Sequence, residues 1–96
     1  MKEETQISEI QIVPVKPQEG LIAFASFVLD EKYYVGSVAI FTRLNSEGFR
    51  LVYPAKKVGD KNINLFYPIN SETGKAIEEA VSEKVNKMFE NSYDRQ

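Results

Sequence analysis

The chain has 96 residues, enough for one domain with a modest core and too few for two. A hydrophobic share of 43% beside a charged share of 27% argues against a disordered or membrane-embedded chain, and a net charge of -2 against a uniformly basic nucleic-acid coat. Cysteine and histidine are both absent, which removes disulfides, thiolate chemistry, the usual general base and the commonest metal ligand.

The N-terminus, MKEETQISE, is polar where a signal peptide needs an apolar run, and no segment approaches the ~20 apolar residues of a membrane span. A cytoplasmic location is the expectation. Ile7 to Val15 alternates loosely, with Ile10 and Ile12 on one face, and reads as a first strand stopped by Pro14 and Pro17. The runs Leu21 to Leu29 and Tyr33 to Phe41 are nearly continuously apolar and flank the short turn Asp30-Glu31-Lys32, so they read as a central antiparallel hairpin. Asn45-Ser46-Glu47-Gly48 has turn chemistry and leads into FRLVYP; Val58 to Lys61 is the next turn, before INLFYP. Each of these two further strands closes on a proline.

From Ser71 the period becomes helical, with Ile77, Ala80, Val81, Val85, Met88 and Phe89 on one stripe. Asn70 or Ser71 would cap it, Glu72 suits the positive end of the helix dipole, and Lys84 and Lys87 suit the negative end. The predicted class is therefore α+β: an antiparallel sheet of about five strands followed by one long C-terminal helix, in a single domain over 1–91 with a polar tail at 92–96. The central strands are apolar on both faces, and one helix covers one face. A homodimer is the simplest cover for the other, and a strongly coiled sheet closing on itself is the alternative.

Little in the chain suggests catalysis. Glu72, Glu78, Glu79 and Glu83 read as a solvated helix face, and ETGKAI lacks both the earlier glycine (Ile69 stands there) and the hydroxyl after the lysine (Ala76) that a phosphate-binding P-loop requires. No cofactor or metal is expected. Between Arg50 and Asn64 the charged residues are Arg50, Lys56, Lys57, Asp60 and Lys61, a local positive excess in an acidic chain. Chemistry alone leaves two readings of this stretch, a solvated hairpin loop or a set of phosphate contacts, the latter aided by Lys75 and the helix start.

Three blocks carry a resemblance. Ala23, Ala25, Ser26, Leu29 and Asp30 form the first; Pro54, Lys56 and Lys57 the second; Pro68, Ile69, Asn70, Ser71 and Thr73 the third, at the junction into the helix. In order and spacing they resemble the stage V sporulation protein G family, the septation-protein regulators of bacteria, over roughly Ile7 to Val85. The chain departs from that pattern where Ile63 stands for a common arginine, Tyr67 for a histidine, and Gly74-Lys75 for an arginine followed by glycine. The resemblance implies a dimeric regulator and no enzyme, with DNA as partner and RNA as a second one, acting on gene expression linked to septation or sporulation. The nucleic-acid contacts would fall on Lys56, Lys57, Lys61, Lys75 and Arg50, with no small-molecule substrate and no membrane. The alternative is a protein-interaction module built on Tyr33, Tyr34, Tyr53, Phe66 and Tyr67, whose rings would otherwise serve sheet packing.

Overall fold

The computed structural model describes residues 5–43 and 48–94. Six strands and one helix follow in order: β1 (Ile7–Gln18), β2 (Leu21–Leu29), β3 (Tyr33–Thr42), β4 (Phe49–Val52), β5 (Ala55–Val58), β6 (Lys61–Asn64) and α1 (Ser71–Asp94). The strands form two antiparallel sheets, one of four strands in the order β1-β2-β3-β4 and one of two, β5-β6. The class is α+β, as read from the sequence; the single sheet of about five strands is corrected to four plus two.

Local chemistry explains each turn. β1 and β2 join through Glu19 and Gly20, both at positive φ (53° and 91°), the tight primed turn whose twist matches its flanking strands. β1 thus runs through both prolines that the sequence reading took as its end. It is an edge strand, where a residue without an N–H can be tolerated because one side of the strand has no ladder to complete. The β2–β3 turn sets Asp30 and Glu31 at positive φ, and Asp30 is tied on both sides: its N–H donates to the Gln6 carbonyl (2.8 Å) and its Oδ1 accepts from the Gln6 N–H (2.9 Å). Residues 45–47 of the turn expected before β4 lie outside the described residues; Gly48, at φ 99°, precedes β4 directly.

Register shifts interrupt both pairings of β2, and two of them lie at one level. Between the pairs Ser8↔Val28 and Gln11↔Ser26, β1 has one residue more than β2, and between Phe27↔Val35 and Ala25↔Val38, β3 does. Glu9 and Ser37 take up the extra length at positive φ, so β2 is flanked by a bulge on each side at nearly the same level. Bulges bend and twist a strand. They also flip its facing: Ile7 and Ile12 pair with Leu29 and Ala25, so both look toward the helix despite an odd spacing, and Val35, Val38 and Ile40 are all buried there.

The core lies between this face and α1. Ala23, Ala25 and Phe27 of β2 meet Val35, Val38 and Ile40 of β3 and Ile77, Val81 and Val85 of the helix, all buried. The helix starts where the Asn70 Oδ1 accepts the Thr73 N–H (2.8 Å), which makes Asn70 the cap. It continues to Asp94, so Lys84 and Lys87 lie before its last turn, which contains no basic residue. Lys87 instead pairs with Glu83 one turn back (3.5 Å).

Opposite the helix, Val13, Phe24, Ala39 and Val52 pair in register across all four strands. This row is open to solvent, with Val13 60%, Phe24 38% and Val52 39% exposed. The expected uncovered apolar face is therefore present in the chain.

Candidate nucleic-acid interface

The second sheet is a ribbon that begins at an aromatic root. Tyr53 and Phe66 stack at 5.7 Å with their planes tilted by 52°, and both pack against the core. Above them the Leu65 N–H donates to the Pro54 carbonyl (2.9 Å), and the pairs Ala55↔Asn64, Lys56↔Ile63, Lys57↔Asn62 and Val58↔Lys61 follow. Gly59, at φ 62°, and Asp60 close the tip; positive φ at the first of two turn residues is the reason a glycine stands there. All eight strand residues are exposed. The strand expected over INLFYP is thus shifted: β6 ends at Asn64, and Leu65 to Tyr67 lead on to the helix cap.

Neighbours along a strand point to opposite faces, and cross-strand partners share one. Lys56, Val58, Lys61 and Ile63 therefore occupy one face of the ribbon, and Ala55, Lys57, Asn62 and Asn64 the other. The adjacent lysines of the sequence, Lys56 and Lys57, point apart. Lys61 joins Lys56. Ile63 occupies the position where the resemblance leads one to expect an arginine, so the Lys56 face is half apolar. Three lysines against Asp60 still make the ribbon the most basic local segment of β structure.

The two remaining candidates sit elsewhere. Arg50 belongs to β4 in the main sheet, on the face away from the helix, where its guanidinium lies over the Phe41 ring at 4.8 Å. That cation–π contact occupies one face of the guanidinium and leaves its edge nitrogens in solvent. Lys75 is exposed in the first turn of α1. Close by, the Asn70 carboxamide already takes the Thr73 N–H, so this helix start is filled by its own cap at that amide. Arg43, at the end of β3, is engaged with Glu78 of the helix at 3.3 Å.

Of the aromatic residues, Tyr53 and Phe66 serve packing, whereas Tyr33 and Tyr34 at the β2–β3 turn and Tyr67 before the helix stay exposed. Burial, and then the charge of Glu78, push the Tyr53 hydroxyl up to about 12 from its ordinary 10.0. Among the described residues no three acidic side chains converge as a metal site would require, and no helix is long and apolar enough to cross a membrane. Asn62 and Asn64, which were not among the residues expected from the sequence, share the ribbon face of Lys57. Their only signal was their alternation with Ile63, legible once residues 61–64 are known to be a strand.

The three sequence blocks map onto β2 and its turn, onto Pro54 and β5 of the ribbon, and onto the helix cap. The SpoVG family profile matches residues 5–87, which takes in the whole β region and most of the helix. The chain belongs to the SpoVG family. A curated septation protein SpoVG from Agathobacter rectalis is 26% identical over 87 residues, covering 90% of this chain and 98% of that protein. The SpoVG match therefore extends over essentially a full relative, ribbon included.

Proposed function

We propose that this SpoVG-family chain is a cytoplasmic, non-enzymatic regulator that binds nucleic acid as a homodimer, acting on gene expression of the kind that septation requires. The observation that carries the reading is the solvent-exposed β5–β6 ribbon, with three lysines rooted on a rigid aromatic pair. Ammonium groups on an exposed ribbon meet phosphates at little folding cost, because their hydration and freedom are lost only on binding. Lys75 and Arg50 act as outlying contacts, and the second copy doubles the charge presented to one duplex. Septation enters through the name of the Agathobacter relative.

Titration of a labelled duplex at several salt concentrations tests this reading. If a dimer neutralises about four phosphates, log affinity falls with log salt at a slope of about -3.6, or roughly 150-fold between 50 and 200 mM. Lys56→Glu combined with Lys57→Glu is expected to abolish binding and leave thermal stability nearly unchanged, since both side chains are exposed. Salt-independent binding, or a double variant that binds like the parent, would contradict the proposal.

A further inference from the structure

We infer that the β5–β6 ribbon reads sequence in the major groove of B-form duplex DNA, through the face that carries Lys57, Asn62 and Asn64. This rests on the nucleic-acid-binding reading above and deepens it: the contact falls in the major groove, and three ribbon residues become base-contacting.

The argument begins with side-chain chemistry. Lys57 and Asn62 are cross-strand partners, and Asn64 pairs with Ala55 on the same face. A carboxamide matches the N6 and N7 of adenine, an ammonium the O6 and N7 of guanine, and a small methyl the thymine methyl group. All four side chains on this face are thus types that read major-groove edges, and none is acidic. The opposite face, with Val58 and Ile63, has no side chain that both donates and accepts.

Geometry agrees with this choice. Four residues per strand at about 3.4 Å each give a ribbon of about 14 Å, long enough to enter a groove about 8.5 Å deep, and the B-form major groove admits a two-stranded ribbon. Each strand residue is exposed, so no part of the body covers the reading face. Charge is complementary as well: the ribbon holds three lysines and one aspartate, and Lys56 and Lys61 have stems flexible enough to reach the phosphates along the groove walls. A-form RNA offers a deep, narrow major groove that side chains do not read, which favours DNA.

The test selects duplexes from a randomised DNA library with the parent chain. Affinities are then measured for a selected duplex, a scrambled duplex, and an RNA duplex of the selected sequence. The parent should favour the selected duplex by about 5- to 150-fold per contacted base. N62A combined with N64A should remove most of that preference and leave the salt slope unchanged, because neither side chain is charged. K56E combined with K61E should weaken both DNA duplexes alike. Circular dichroism of each variant should match the parent, as the altered residues are all exposed. Groove reading is overturned if the asparagine variant keeps the parent's preference, or if the RNA duplex binds as tightly as the DNA. A parent chain that binds none of the three duplexes overturns the nucleic-acid reading itself.

Discussion

Tyr53 shows how one residue can hold together the base of the candidate site. Its ring packs on Phe66 and its hydroxyl, half buried near Glu78, resists ionisation up to about 12. In the unfolded chain the phenol loses its proton near 10.0, so from that pH upward deprotonation favours the unfolded state, until the folded hydroxyl ionises as well. The stability that Tyr53 contributes is therefore complete below about 10 and is lost as pH rises toward 12. Urea unfolding across that range should show the parent losing more stability than Tyr53→Phe; parallel curves would mean that the hydroxyl is solvated in the folded chain. Sequence reasoning had this tyrosine only as one of five interface candidates, because burial of a ring beside a proline is settled by what packs on it. The cap was more legible. Asn70 or Ser71 was the choice, and only the 2.8 Å contact to Thr73 decides for Asn70.

At the scale of elements, helix and ribbon are held in opposite ways. The helix buries Ile77, Val81 and Val85 completely, so its place depends on packing. Ile77→Ala should cost about 2–5 kcal/mol, the loss of transfer energy plus a cavity. In the ribbon, Ile63 is 49% exposed, and Ile63→Ala should stay within about 0.5 kcal/mol of the parent. Thermal unfolding of the two variants side by side checks the contrast; equal losses would mean that the ribbon packs on the body. An isolated two-stranded hairpin is marginal in water, which is why the Tyr53–Phe66 root matters to this one. The helix was legible from its 3.6-residue period. Of the ribbon only the tip was legible, as the turn expected over Val58 to Lys61, since four-residue strands carry too few positions to display a period of two.

For the whole molecule the unresolved balance is the row Val13–Phe24–Ala39–Val52. It crosses the sheet opposite the helix and leaves large apolar side chains in water. The bulges at Glu9 and Ser37 bend the sheet, yet this face remains open, so the proposed homodimer is the arrangement that covers it. Sedimentation at micromolar concentration should give twice the chain mass. Phe24→Lys, at the centre of the row, should give the single-chain mass with its circular dichroism preserved. A parent that sediments as a monomer would remove the dimer and the doubled ribbon together.

What the sequence determined by itself was local or nearly so: the two apolar hairpin strands, the turn residues, the helix from its period, and the three blocks that mark the family. Tertiary structure decided what depends on pairing. β1 continues through Pro14 and Pro17 because it lies at an edge, and Ile7 and Ile12 face the same way because one bulge separates them. Lys56 and Lys57 point apart because residues 55–58 pair with residues 61–64 instead of forming a loop. The last two share one physical reason. A side chain's direction in a sheet follows from its register with a partner strand, and no residue's own chemistry carries that register.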